Sequence, residues 1–416
     1  MQFLKGAAAA AIVALAATVA AAQEAKTGGD APGDEAKERI ESMTEQMQTL
    51  QTDMDKLKRF KFSGFLQPRW ETAENKSDTV RVTGNPPAAT AANNERFYIR
   101  RARFKLTYDA APLSKAVLSF DGSTAGSSIN IRMLDAYVQL LDPWTAQHQH
   151  SATIGQMNIP FGYEIEQSDA DRELPERSRA ENVLFPGERD RGLRFLSQWT
   201  PQLETAVALF NGNGIADGSY GTADPTRSKD LVARARYAQG RMDGALSLQV
   251  GNVTVPLTGP DVSGDRARYG ADAQTYYELP RFGGGTLRGE LFIGHDVNAD
   301  SVRVLTTTPG GTATGTVLQP GANPDHFVSD FTGWYVMAVQ NFGDKLQAAM
   351  RFDAWDPNTD VAHDQYERWS LGLNYFYDAY TRLTVSYDVP ITDAAAASGY
   401  DDPHDNLWTV QIQLKY

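Results

Sequence analysis

The sequence predicts an all-β fold: a 16-stranded antiparallel transmembrane β-barrel behind an N-terminal α-helical coiled-coil arm. Three observations carry this. Residues 96–109, RFYIRRARFKLTYD, alternate with the period of a strand, with Tyr98, Ala102, Phe104, Leu106 and Tyr108 on one face and Arg101, Arg103, Lys105 and Thr107 on the other. Comparable segments recur sixteen times, joined alternately by short and long connections. The last segment, LWTVQIQLKY, sets Trp408, Val410, Ile412, Leu414 and Tyr416 on one face and ends the chain on an aromatic. A soluble sheet would bury the apolar face in a core. A membrane barrel turns it to lipid and puts the cations in a water-filled lumen.

Composition sets the outer bounds. The 416 residues suffice for several domains or one large barrel. Cysteine is absent, which excludes disulfides, thiol nucleophiles and zinc–thiolate sites. The six histidines are scattered without an HExxH pattern. The formal net charge of −13 argues against nucleic acid as a partner. It says little about a pore, whose rim and lumen can differ in sign.

Taken in order, residues 1–22 read as a secretory signal, with Lys5 before a short apolar run and Ala20-Ala21-Ala22 as the cleavage site. The run is short of the roughly 20 residues a membrane helix needs. Residues 23–33 are a small, polar linker. From 34 to 59, Ala36, Ile40, Met43, Met47, Leu50, Met54 and Leu57 follow a four–three spacing, the a/d stripe of a coiled coil. The alternative is an amphipathic helix lying on its own domain. The narrow stripe favours a bundle of N-termini, most simply in a trimer, standing in the periplasm.

Residues 60–416 form the barrel domain. The expected strands are 60–71, 96–109, 114–121, 131–141, 152–161, 192–200, 203–211, 229–238, 245–252, 268–279, 286–296, 331–342, 346–355, 368–377, 382–389 and 407–416. Short joints such as 110–113, 201–202 and 343–345 alternate with long ones at 72–95, 161–191, 212–228, 253–267, 297–330, 356–367 and 390–406. Residues 142–151 are long for the short side. Outer-membrane barrels have short periplasmic turns and longer external loops. An even strand count returns both ends of the domain to one side. The tryptophans fall mostly near strand ends, as aromatic girdles do.

Several segments together resemble the phosphate-selective porin O/P family of Gram-negative outer membranes. They are FYIRRARFKLTY, IRMLDAYVQL, ATIGQMNIPFGYE, ELPERSRAENVLFPGERDRGLRF, ALFNGNG, KDLVARARYA, FDAWDPNTD and LGLNYFY. The resemblance implies a 16-stranded, trimeric, passive diffusion channel. Phosphate selectivity is not carried over, because the family's arginine ladder and lysine cluster do not map onto named positions.

Charges facing a narrow lumen set ion selectivity. The inward basic set is Arg101, Arg103, Lys105, Arg194, Arg234, Arg236, Arg288 and Arg351; the inward acids are Asp135, Asp272, Glu278, Glu290 and Asp353. Internal salt bridging is expected to neutralise about half of them, and Arg101, Arg103 and Lys105 least, since they share one strand face. The loop at 161–191 is dense in charge, and is expected to fold inward as the third loop of general porins does. That adds Arg177 and Arg179 to the anion path. The bland alternative is an exposed, salt-bridged loop.

Asp356, Asn358, Asp360, Asp364 and Glu367 match calcium-loop spacing, but Val361 stands where glycine is needed. This reads as a solvated external loop, so no metal is expected. No enzyme signature and no cofactor motif are present. The expected function is a passive outer-membrane porin for small hydrophilic solutes and inorganic anions, leaning to phosphate, embedded in outer-membrane lipid. The alternatives are an outer-membrane anchor that tethers the envelope through its coiled coil, and a soluble exported β-protein.

Overall fold

Residues 34–58 contain no glycine or proline and are rich in Glu, Gln, Met, Lys and Leu, which are good helix formers. In the computed structural model they form α1 (Asp34–Lys58). The structure describes residues 34–73, 95–125, 129–212, 214–215, 228–255, 262–296, 328–360, 365–392 and 406–416. The leader 1–22, the linker 23–33 and most of the long connections 72–95, 212–228, 297–330 and 390–406 lie outside the described residues. So do Val361 and Asp364 of the calcium-like run. The chain divides into two units, Met1–Arg59 and Phe60–Tyr416.

In the first unit the apolar stripe of α1 is uncovered, with Ile40, Met43, Met47, Leu50, Met54 and Leu57 between 48% and 69% exposed. Its basic last turn, Lys56 and Lys58, suits the carbonyl end of the helix. Both lysines pair one turn back, with Asp53 at 2.9 Å and Asp55 at 2.7 Å.

The second unit is one closed sheet. In chain order the strands are β1 (Phe60–Ala73), β2 (Glu95–Ala111), β3 (Ser114–Ser123), β4 (Asn130–Leu141), β5 (His150–Asn158), β6 (Arg189–Gln198), β7 (Leu203–Phe210) and β8 (Asp230–Gln239). They continue as β9 (Met242–Val255), β10 (Val262–Leu279), β11 (Gly283–Asp296), β12 (Ser329–Phe342), β13 (Leu346–Asp356), β14 (Tyr366–Phe376), β15 (Thr381–Thr392) and β16 (Leu407–Lys415). Each pairs antiparallel with its neighbours in sequence, and β16 closes on β1. Gly64 and Tyr416 exchange both backbone hydrogen bonds at 3.0 Å across that seam. Closure leaves no unpaired edge, the condition for a sheet surrounded by lipid. Between β5 and β6 a loop, 159–188, carries the six-residue helix α2 (Arg179–Leu184).

The two faces invert the usual distribution of polarity. On β16, Thr409, Gln411 and Gln413 are buried inside, while Trp408, Ile412 and Leu414 are exposed outside. On β14, Trp369, Leu371 and Leu373 are exposed, while Ser370 and Asn374 are buried. A soluble β-sandwich would do the opposite. The wall is a single layer with its apolar rows outward, so the two-layer soluble alternative fails.

Three register shifts interrupt the described strands, one of them beside the β2–β3 turn between Asp109 and Ala111 and two within the wall. Gln67 pairs with Arg101 and Pro68 with Ile99, which leaves Arg100 as the extra residue of β2. Tyr98, expected on the lipid face, is therefore turned inward, where its hydroxyl donates to Glu71 at 2.5 Å. Pro68 sits at the bulge, where its missing N–H costs no ladder bond. A second shift, between Leu118 and Phe120, doubles up β4 opposite Ser119. There Leu134 is buried, while the next residue, Asp135, receives a bond from the Ser119 hydroxyl at 2.5 Å.

Candidate functional site

Loop 159–188 begins with an apolar run that a water-exposed loop would not need. Ile159, Phe161 and Ile165, with Leu184 and Phe185, pack inside the barrel against Phe210, Val232, Phe292, Phe331 and Trp355. Further along, Leu174 packs on Tyr335, Met337, Val339 and Ala349. The loop is thus seated on the inner wall by its own small cores.

Gly162 lets the backbone make the bend. Its φ is +60°, and a Cβ there would lie 1.8 Å from Glu290 Oε1. The close approach lets Gly162 N–H donate to Ser247 Oγ, and Tyr163 N–H to Glu290 Oε1, each at 3.0 Å.

Acids of the loop meet arginines of the wall. The Glu176 carboxylate receives Arg69 at 2.7 Å, Arg100 at 2.8 Å and Arg101 at 3.4 Å. Asp169 receives Arg103 at 2.6 Å and Arg101 at 3.6 Å, together with Arg172 and Arg177 of the loop itself. Glu164 pairs with Arg351 at 3.1 Å, Glu173 with Arg288, and Asp171 with Lys415 at 2.5 Å. Wall side chains also donate to loop carbonyls: Arg351 and Arg368 to Arg177 O, Asn374 to Glu173 O, and Gln413 to Ala170 O. These anchors stand on β1, β2, β9, β11, β13, β14 and β16.

The electrostatics of the loop follow. Burial works against ionised Asp169, yet Arg101, Arg172, Arg103 and Arg177 hold its carboxyl well below the usual carboxylate range. Burial likewise opposes charge on Glu176, and Arg100, Arg101 and Arg69 hold it well below that range. Glu181 differs. Burial pushes it up to about 7, although Arg177 lies 2.9 Å away. Arg177 itself is brought down to about 10 by burial and by Arg172.

The residues expected to line the path separate into two groups. Arg101 and Arg103, expected to stay un-neutralised, are ion-paired to the loop; Arg103 also meets Asp121 at 3.3 Å. Arg177 is buried among Glu181, Glu188 and Asp169. Arg288 and Arg351 are buried in their loop pairs, and Arg234 is buried beside Asp272 at 3.4 Å. Arg179 is exposed, its guanidinium 5.0 Å from the Tyr366 ring.

Lys105 and Arg194 are half-buried, and neither has an ion pair among the described residues. Arg236 pairs with Asp243, yet its side chain keeps 41% exposure. Of the acids, Asp135 pairs with Arg189 at 2.8 Å and Asp353 with Arg368 at 3.0 Å. Glu290 caps loop N–H groups, and Glu278 is exposed. His295, expected on the outer face, is 3.9 Å from Asp330.

Sequence reasoning missed Arg69, Arg100, Arg368, Asp169 and Glu176 as partners. Arg69 carried a signal, lying on the inward face of β1. Arg100 carried none, because the bulge reassigns it. In the calcium-like run, Asn358 N–H donates to Asp356 and Asp360 N–H to Asn358, the bonding of a tight turn.

The architecture recurs in solved structures of low sequence identity. OprB of Pseudomonas putida superposes with a TM-score of 0.55 at 10% identity, covering 88% of this chain and 96% of that one. The outer membrane channel DcaP of Acinetobacter baumannii gives 0.52 at 14% identity, over 86% and 97%. OmpT, an outer membrane protein of Vibrio cholerae solved in a trimer form, gives 0.52 at 9% identity, over 86% and 99%. No curated protein matches the chain. The model of one family, phosphate-selective porin O and P, matches residues 73–277. That span runs from the end of β1 into β10 and includes the inward-folded loop, and the match agrees with the resemblance that the sequence segments carry.

Proposed function

We propose that the protein is a porin of the Gram-negative outer membrane, a passive water-filled channel for small hydrophilic solutes and ions. One observation carries this reading: a closed 16-stranded wall, apolar outside, holds a charged loop seated within it. A barrel needs lipid to cover Phe62, Phe104, Leu118, Ile154 and Trp334, all exposed on its outer face. The inward loop leaves part of the bore to water and so sets its width and charge.

We also propose an anion preference, with phosphate among the solutes. Lys105, Arg132, Arg194 and Arg236 keep solvent exposure on β2, β4, β6 and β8; of the acids of this region Glu166 is exposed, and Glu204 and Asp135 are half-buried. The protein is further proposed to be a homotrimer. Its leader 1–22 is removed, residues 34–59 form a periplasmic coiled coil, and residues 60–416 are the barrel domain. The uncovered stripe of α1 supports the coiled coil. OmpT, solved in a trimer form, supports the trimer by fold analogy.

The test is current through purified protein in a planar bilayer, with reversal potential measured in a salt gradient and phosphate added as competitor. Discrete conductance with an anion-directed reversal potential is expected. Protein that folds into bilayers yet passes no current would favour the envelope-anchor alternative.

A further inference from the structure

On the outer face of β6 to β8 the apolar rows end in two cations. Arg191 stands eight residues before Trp199, and Lys229 eight residues before Tyr237, and all four are exposed. Trp199 and Tyr237 are neighbours across Leu203, at the short-turn end: Trp199 N–H donates to Leu203 O at 2.9 Å, and Leu203 pairs with Tyr237. Arg191 and Lys229 are neighbours across Asn211, at the long-loop end. Asn211 N–H donates to Arg191 O at 3.0 Å, and the β7–β8 register, with Phe210 opposite Asp230, sets Asn211 opposite Lys229. Eight residues of tilted strand rise roughly 20 Å, close to the roughly 25 Å apolar band of such barrels. Phe195, Val207, Leu209 and Leu231 are exposed between the two levels. The cations therefore stand where the hydrocarbon ends. Their sequence neighbours fix the outward direction, since Asp190 and Asp230 are buried on the inner face, receiving Gly212 N–H at 2.7 Å and Arg266 at 2.8 Å. Arg191 is also held in place. Its Nε donates to Gln156 Oε1 at 3.1 Å, and Gln156 is itself buried, with Nε2 donating to Met133 O at 2.9 Å and Leu134 O at 2.7 Å at the bulge of β4.

We infer that Arg191 and Lys229, with Asn211 between them, form a binding site on the outside of the barrel for the phosphorylated headgroup of an outer-leaflet lipid. Neighbouring strands lie about 4.8 Å apart, so the two side chains start roughly 10 Å apart, a gap that long cationic chains close on one headgroup. The guanidinium offers phosphate oxygens a planar fork, and the ammonium a compact charge. The acyl chains of the same lipid lie on Phe195, Leu209 and Leu231 below. Further round the wall, Asn252 of β9 donates to Asp265 of β10 at 2.6 Å, and that carboxylate bounds the site. The inference rests on the outer-membrane reading and concerns the lipid-facing surface, not the bore.

The experiment is native mass spectrometry of the purified protein in detergent, titrated with bisphosphorylated lipid A and with its dephosphorylated form. Wild type is compared with the double variant Arg191→Gln with Lys229→Gln, and with Arg241→Gln with Lys345→Gln, which removes exposed cations from two short turns. A cation beside a charged lipid surface strengthens binding about fivefold, so losing two is expected to weaken retention of the phosphorylated lipid about 25-fold. The short-turn variant is expected to bind as wild type does. Wild type is expected to prefer the phosphorylated lipid by a similar factor, a comparison that needs no variant. Equal binding of the two lipids by wild type, or an equal loss in both double variants, overturns the inference. So does an Arg191 and Lys229 variant that keeps the lipid but loses its oligomeric mass, which would assign the pair to contact with a second copy. A wild type that binds the lipid but passes no bilayer current removes the channel reading and leaves this site standing. Protein that stays in solution without detergent removes both.

Discussion

The inner wall has two arcs that use arginine differently. From β11 through β16 to β2, Arg288, Arg351, Arg69, Arg100, Arg101 and Arg103 are matched by acids of the loop, as in Arg351 with Glu164 and Arg69 with Glu176. From β3 to β8, Arg132, Arg194 and Arg236 keep solvent, and their acids are fewer or on the wall itself. A guanidinium keeps its charge in either setting. What differs is whether a loop carboxylate reaches it. The first arc spends its charge on holding the loop, which leaves the second arc to face the water.

The largest effect is expected from breaking the first arc. Asp169→Asn leaves Arg101, Arg103, Arg172 and Arg177 short of their shared acid, and uncompensated buried charge costs about 3–5 kcal/mol. The midpoint of urea unfolding in detergent should fall accordingly, and single-channel current should become noisier as the loop loosens. An unchanged midpoint would mean that the pairs hold nothing.

Next is the bend at the loop's start. Gly162→Ala places a methyl against Glu290 at a φ of +60°, so strain and the displaced carboxylate together should cost about 1–3 kcal/mol. Gly343→Ala is the control: its φ is +63°, with nothing within 4 Å of the added carbon. It should cost about 1 kcal/mol from the backbone alone. Equal losses in the two variants would show that seating the loop on Glu290 is unimportant.

On the second arc and at its border on β2, Arg132→Gln combined with Lys105→Gln should lower the anion-to-cation permeability ratio about twofold while leaving the unfolding midpoint in place. A stability loss without a selectivity change would exchange the roles given to the two arcs.

The smallest effect concerns pH. The Glu181 carboxyl rises from 4.5 to about 7 in the fold. Its contribution to stability is therefore full below the usual carboxylate range and is lost as pH rises through about 7. Asp169 and Glu176 have the opposite sign. They are held low, so their contribution is present above that range and is lost only in strong acid. Between about pH 5 and pH 8 Glu181 should contribute a fall in melting temperature, and the slope should be shallower in Glu181→Gln than in the wild type.

Much of this was legible in the sequence, for a physical reason. Strands announce themselves locally, through period-two alternation and polar turns, and all sixteen were readable in order. Tyr98 was misplaced because one extra residue at Arg100 flips the side-chain parity, and nothing in the local pattern marks a bulge. The pairing of Arg101 and Arg103 was also hidden. Asp169 and Glu176 lie far along the chain, and only closure of the barrel brings the loop across to β2. The charge density of the loop was visible; which arginines it would neutralise was not. The helix α1 was legible as well, from its helix-forming residues and the four–three spacing of its apolar stripe.

The division of the bore can be tested with single cysteines, since the native chain has none. Arg194→Cys lies on the water-facing arc, and Thr384→Cys replaces a side chain buried beneath the loop, 1% exposed, with its hydroxyl donating to Asn374 at 2.6 Å. The measurement is block of bilayer current by an anionic thiol reagent. The account predicts prompt block at position 194 and none at 384. Block at 384 with none at 194 would contradict it.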